Sequence, residues 1–193
     1  MEYEVVIGME THVELDTASK MFCGCSANFF GAEPNINVCP TCAGLPGALP
    51  VINARAVEYA MKVGLALQCS INTHTFWERK SYWYPDLPKG YQITQYQFPM
   101  SYDGVLDVDV RELASGNWTE DSYRKRVRIR RAHLEEDTGK LTHSGNRSFV
   151  DYNRSCGPLL EIVTEPDIYS ADEAYAYLSA LRDIVRYYTR EAG

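Results

Sequence analysis

The sequence lacks the pattern of a secretory leader in its first residues, a membrane-length apolar run and a glycine-rich nucleotide motif. Its first ten residues, MEYEVVIGME, are acidic and lack the basic start of a signal peptide, which predicts a cytoplasmic protein with reduced thiols. No stretch approaches the roughly 20 apolar residues of a spanning helix, so no membrane contact is expected. Neither G-x-x-x-x-G-K nor G-x-G-x-x-G occurs, which argues against a P-loop or dinucleotide-binding fold. There is no internal repeat and no low-complexity tract. Positive charge is also scarce: the 193 residues carry a net charge of −7, so any contact with nucleic acid must use a local basic patch. What remains is an ordinary globular composition, 45% hydrophobic and 23% charged, with enough chain for one real core.

Two helices are legible. Asn53 can cap ARAVEYAMKVGLAL, in which Val57, Met61, Gly64 and Leu65 recur at helical spacing. Ser170 and Glu173 form a capping box, and the helix after them carries Ala174, Tyr177, Leu178, Leu181, Val185 and Tyr188 on one face. The stretches YEVVIGMETHVELD, YQITQYQF, GVLDVDVREL, YRKRVRIRRAHLEED, SFVDYN and PLLEIVTE are rich in β-branched and aromatic residues and read as strands. Turns are expected at Ser115–Asn117 and at Asp103-Gly104. Strands outnumber helices without βαβ alternation, so the expected fold class is α+β: a mixed, mainly antiparallel sheet with helices on one face.

Side chains on a strand alternate between faces. In GMETHVELD this groups Glu10, His12, Glu14 and Asp16, and in RAHLEEDTGK it groups His133, Glu135 and Asp137, with Glu136 beside Leu134. In LLEIVTEPD, Glu161 alternates with Leu160 and Ile162. These rows are either solvent faces or the walls of a divalent-cation site. For one strand the solvent face is the simpler reading, but adjacent rows of carboxylates repel across a sheet, so three such strands leave both readings open. Magnesium takes carboxylate, water and phosphate oxygens, so the pattern suggests Mg-ATP chemistry.

Six cysteines are present, four of them in two close pairs, Cys23 and Cys25, Cys39 and Cys42. Four thiolates suit a tetrahedral structural zinc ion with no open position. An iron–sulfur cluster, a redox dithiol pair or four unrelated thiols are the alternatives. Residues 21–50 otherwise read as a zinc-knuckle loop module outside the core, and Cys69 and Cys156 as free thiols. Two basic stretches stand out as well. Arg124, Arg126, Arg128 and Arg130 share one strand face, either as a charged outer edge or as phosphate contacts. Arg79, Lys80 and Lys89 interleave with aromatic residues, and the Pro85–Gly90 turn could bring Lys80 and Lys89 to one site.

The segments VIGMETHVELDTASKMFCGC, NVCPTCAGLPGALPVIN, RKSYWYPDLPKGYQITQ, RAHLEEDTGKLTH and PLLEIVTEPDI, in this order, resemble the signature segments of the GatB family, the B-type subunits of the aspartyl/glutamyl-tRNA(Asn/Gln) amidotransferases. The resemblance covers nearly the whole chain. It implies a glutamine-hydrolysing carbon–nitrogen ligase built as a heterotrimer. In it an amidase subunit (GatA) supplies ammonia, a small third subunit (GatC) holds the pair together, and the GatB protein acts on misacylated Glu-tRNA(Gln) or Asp-tRNA(Asn). Mg-ATP phosphorylates the tRNA-bound side-chain carboxylate, and ammonia displaces the phosphate. The implied fold is a glutamine-synthetase-like cradle. Carried over by matching motif, Glu10, His12, Glu135, Glu136 and Glu161 are the magnesium and phosphoryl-transfer candidates. Arg79 and Lys80 are the phosphate-binding candidates, and Cys23, Cys25, Cys39 and Cys42 the zinc ligands.

Two departures accompany the resemblance. Family members are considerably longer, so residues 1–193 are expected to form an incomplete cradle that lacks the helical and tail domains. NRSCGPLLE also places Cys156 where the family usually has glycine, which predicts strain if that position needs a positive φ. A glutamine-synthetase-like ligase for a small acid, or a non-enzymatic zinc-stapled binding module, are the competing functions.

Overall fold

The computed structural model describes residues 3–114 and 117–189; the expected Ser115–Asn117 turn lies partly outside them. Nine strands and two helices follow in the order β1 (Glu10–Glu14), α1 (Ala54–Ala66), β2 (Ser70–Ile71), β3 (Glu78–Ser81), β4 (Tyr91–Thr94), β5 (Ser101–Ala114), β6 (Asn117–Glu136), β7 (Lys140–Ser144), β8 (Arg147–Asp151), β9 (Pro158–Thr164) and α2 (Ala171–Tyr188). The central sheet has the order β1-β9-β6-β5-β2 and every pairing in it is antiparallel. β3-β4 and β7-β8 form separate two-stranded ribbons. The expected α+β class with mainly antiparallel sheets is observed.

β1 is shorter than the alternating sequence suggests. It pairs with β9 only from Glu10 to Glu14, while Tyr3, Val5 and Val6 stay exposed. β9 stops at Thr164 and Pro166 has no amide hydrogen to extend the ladder, so upstream contact is reduced to the bonds between Met9 and Thr164 and the Ile7–Ile168 bridge. Asp103-Gly104 is not a hairpin turn but an irregular point inside β5, with Asp103 at φ 51. Gly104 is required there because a Cβ would stand 2.3 Å from the Cys69 sulfur and 2.6 Å from the Leu67 carbonyl oxygen.

Both helices start where their caps predict. Asn53 Oδ1 accepts from the amides of Arg55 and Ala56, a contact whose loss typically costs ~1 kcal/mol. The buried face of α1 is Ala56, Tyr59, Ala60, Val63 and Gly64, whereas Met61 and Leu65 point to solvent. Size decides this: a Cβ on Gly64 would come within 2.6 Å of Ser101 Oγ, so the helix lies too close to the sheet for long side chains. In α2, Ser170 Oγ accepts from the Glu173 amide, but Glu173 returns its bond to the Tyr169 amide, one residue before the cap. Tyr177 and Leu181 are buried, while Leu178 and Tyr188 remain exposed.

The core lies between the helices and the sheet face formed by Leu106, Val108, Val110, Val127, Ile129, Ala132, Leu134, Leu160 and Ile162. Residues 21–50 contribute to it, contrary to the reading of this stretch as outside the core: Met21, Phe22 and Cys42 are fully or almost fully buried. They are drawn in by backbone bonds from Met21 to the Cys156 carbonyl and from Val51 to the Phe22 carbonyl, 2.8 and 2.9 Å long.

Candidate functional site

The sheet face away from this core carries the site. Register places His12 of β1 opposite Glu161 of β9, and Glu161 opposite His133 of β6. Three polar residues from distant segments therefore form one row across adjacent strands. One row along stand Glu14, Leu159 and Glu135; one row back stand Glu10, Val163 and Arg131.

The row closes into a cluster. His12 Nε2 lies 3.2 Å from Glu135 Oε1 and 3.6 Å from Glu161 Oε2. His133 Nε2 lies 3.3 Å from Glu161 Oε2 and 3.8 Å from Glu135 Oε2. One ligand atom each from His12, Glu135 and Glu161 fall within 4.8 Å of one another, so together they could hold a metal ion. The hydrogen bond with His133 holds the Glu161 carboxyl below the usual carboxylate range, against the effect of burial. Glu135 moves the other way, raised by burial and then by the charge of Glu161. Two carboxylates pushed apart in this way are a recurring feature of functional sites.

The surroundings keep the cluster in place. β5 stops pairing with β6 at Ala132, which leaves the end of β6 without a neighbour on that side. Buried Gln95 and Gln92 fill the gap: Gln95 Oε1 accepts from the Leu134 amide at 3.1 Å and Gln92 Nε2 donates to the Glu136 carbonyl at 2.8 Å. Thr94 donates its hydroxyl to Glu135 Oε2 at 3.3 Å. Beside the cluster opens a cleft of about 370 Å³, lined among others by His12, Lys80, Glu135, Asp137 and Arg154.

The structure divides the expected site residues. His12, Glu135 and Glu161 meet. Glu10 is on the same face but exposed and outside the cluster. Glu136 points to the opposite face, where its Oε2 takes a 2.6 Å bond from Lys89 and its Oε1 a 2.8 Å bond from the Ile93 amide. Alternation along β6 thus holds from His133 to Glu136. Lys80 lines the cleft, while Arg79, the residue before it on β3, lies over the Tyr91 ring, 5.5 Å from its centroid. Lys89 is spent on Glu136, so the turn does not bring it to Lys80. His133 and Arg131 are site residues that the sequence motifs do not single out; for His133, the period-2 pattern that groups it with Glu135 is the available signal.

The four cysteines converge as expected, with all four sulfurs within 4.8 Å of one another. Cys39 and Cys42 sulfurs are 3.8 Å apart, the edge of a tetrahedron with metal–sulfur bonds of about 2.3 Å. The Cys42 sulfur also accepts from the Cys39 amide at 3.1 Å. Cys42 is pushed up to about 12 by its hydrogen bond with Cys23 and by burial. Cys69 and Cys156 are free and buried, and Cys156 has φ 67, the left-handed conformation that its glycine-like position predicted.

Residues 5–193 match the family model described as the GatB/GatE catalytic domain. The chain is 55% identical over 191 residues to the B-type subunit of the aspartyl/glutamyl-tRNA(Asn/Gln) amidotransferase of Thermomicrobium roseum, covering 97% of this chain and 38% of the relative. It is 55% identical over 192 residues to the protein of the same name from Geotalea daltonii, again with 97% and 38% coverage. The chain thus spans less than two fifths of the length of these relatives. No described helix is long and apolar enough to cross a membrane. With a match that runs through both the carboxylate–histidine cluster and the cysteine cluster, this chain belongs to the GatB/GatE catalytic domain family.

Proposed function

We propose that this chain is the catalytic part of a GatB protein in a cytoplasmic tRNA-dependent amidotransferase. It activates the side-chain carboxylate of Glu-tRNA(Gln) or Asp-tRNA(Asn) by transfer of a phosphoryl group from ATP, and ammonia from an amidase partner then displaces the phosphate. The names of its relatives support the reaction class. The observation that carries the site is the convergence of His12, Glu135 and Glu161 from three strands.

A carboxylate is a poor electrophile, and phosphorylation gives it a leaving group. A magnesium ion held by His12, Glu135 and Glu161 would neutralise charge on the phosphates. The chain's own residues do the rest. His133 keeps Glu161 ionised and aimed at the site. Thr94 fixes Glu135, whose carboxyl is pushed up by burial. Lys80 adds positive charge at the cleft wall. Cys23, Cys25, Cys39 and Cys42 would bind zinc with no open position, a structural role that ties residues 21–50 to the core. In this reading the rest of a glutamine-synthetase-like cradle, the helical and tail domains that handle tRNA, the amidase GatA and the small GatC complete the enzyme.

The test is ATP-dependent amidation by a complete complex carrying this chain. Glu135→Gln, Glu161→Gln and His12→Ala are each expected to lower kcat by at least about 100-fold with the complex still assembled. Full activity in all three would refute the assignment. Elemental analysis should find one zinc per chain, lost in a Cys39→Ser, Cys42→Ser double variant.

A further inference from the structure

β6 carries five arginines on its open face, and one of them is unlike the rest. Arg124 and Arg126 face Asp107 at 3.6 and 2.7 Å, Arg128 faces Asp167 at 2.6 Å and Arg130 faces Glu165 at 2.7 Å. These four are ordinary exposed ion pairs. Arg131 has no carboxylate within 4 Å among the described residues. Its guanidinium carbon instead lies over the Tyr96 ring, 4.5 Å from the centroid, and its Nε is buried without a partner.

Backbone geometry explains how Arg131 reaches this face. Before it, the outward residues of β6 are even-numbered; after it, they are odd-numbered. The pairing with β9 shifts between Ile129 and Arg131, so one extra residue is inserted there. At the same level β5 holds Asp103 at φ 51, and both strands deform together. Bulges of this kind re-aim a side chain beside a functional site. Here the bulge puts Arg131 in the row next to His12, Glu161 and His133. Its positive charge helps to hold Glu161 ionised. His133, 2% exposed, also has an unpartnered buried atom, Nδ1.

We propose that Arg131 binds an oxyanion, a phosphoryl or carboxylate oxygen pair, presented beside the His12–Glu135–Glu161 cluster. The proposal deepens the functional reading above and rests on that reading of the cluster. A guanidinium held over an aromatic ring and not paired with a carboxylate keeps donors for an anion's oxygens. Arg126, Arg128 and Arg130 have already spent theirs on paired carboxylate oxygens, and Arg124 stands out in solvent beside Asp107. Anionic ligands entering a cluster with two carboxylates need cationic help beyond a single divalent ion, and Arg131 supplies it from a fixed position.

The experiment uses this chain with Arg131→Gln, Arg131→Lys and Tyr96→Leu. Mn²⁺ binding is followed by electron paramagnetic resonance. Pyrophosphate and glutamate are each titrated calorimetrically with and without Mn²⁺. Arg131→Gln is expected to bind Mn²⁺ at least as tightly as the parent, because a positive charge has left. It should bind pyrophosphate or glutamate roughly 10- to 100-fold more weakly, the loss of one charge-assisted contact, and the anion affected identifies the source. Tyr96→Leu should show a smaller loss in the same direction. Should Arg131→Gln fail to fold, Arg131→Lys gives the same reading, with the parent melting temperature and weaker anion binding. Unchanged affinity for both anions in the folded variants overturns the proposal, as does a parent that binds Mn²⁺ but neither anion. A parent that takes no Mn²⁺ yet binds an anion through Arg131 overturns the metal reading and leaves the anion site standing.

Discussion

The end of β6 sets two glutamates side by side in the chain and on opposite faces of the sheet. Glu136 is fully buried, and each of its oxygens has a donor, Lys89 Nζ or the Ile93 amide. Glu135 is almost as buried, yet its neighbours are another carboxylate, two histidines and one threonine hydroxyl. One carboxylate is satisfied by the fold. The other is kept in a setting that disfavours its charge and that a cation would complete. Burial by itself therefore does not separate an acid satisfied by the fold from one left open to a ligand; the identity of the partners does.

The largest effect should come from breaking the satisfied side. Glu136→Ala leaves the Lys89 ammonium buried and alone, and is expected to cost about 3–5 kcal/mol of stability by urea denaturation. A Lys89→Met, Glu136→Leu double variant, which removes both charges, should recover most of that loss. An equal cost in single and double variants would show that the pair is not what stabilises this face. Cys156 lies on the same side, its amide bonded to the Asp137 carbonyl at 2.8 Å. At φ 67 a Cβ is strained, so Cys156→Gly should be about 1 kcal/mol more stable than Cys156→Ala, although both delete the buried thiol.

The open face should respond less in stability and more in ligand binding. Glu135→Gln removes a charge that burial disfavours, so stability should stay within about 1 kcal/mol of the parent while Mn²⁺ binding is lost. A stability loss as large as that of Glu136→Ala would erase the contrast between the two glutamates. The smallest effect belongs to the outer ion pairs. Asp167 is held below the usual carboxylate range by its hydrogen bond to Arg128. A depressed folded value means that the pair's contribution is present above the unfolded carboxylate pKa and disappears as pH falls through the folded one. Asp167→Asn should therefore flatten acid denaturation slightly in that window and leave the urea midpoint at neutral pH nearly unmoved.

Much of this site was legible in the chain. Alternation correctly grouped Glu10, His12 and Glu14, and separately His133 with Glu135. It also put Glu136 with Leu134, and the structure keeps Glu136 there; the family motif alone had made Glu136 an equal candidate. The arginine row was harder to place. The outer-edge reading fits Arg124 and Arg126, where only β5 pairs with β6, but the same strand becomes internal once β9 joins it at Ile129. The helix faces were only half legible, because Met61 and Leu65 are apolar enough for a core yet too long for the narrow gap over Ser101.

By itself the sequence determined what depends on near neighbours: the Asn53 and Ser170 caps, the side-chain alternation within each strand and the paired cysteines. Only the tertiary structure decided which rows meet. The register that puts His12, Glu161 and His133 in line, and the bulge that turns Arg131 onto their face, come from pairing between segments more than 100 residues apart and between β6 and β9. Alternation is a property of one strand's backbone, whereas register is chosen by burying Leu134, Leu160 and Ile162 together on the far side of the sheet, and no local pattern encodes that choice.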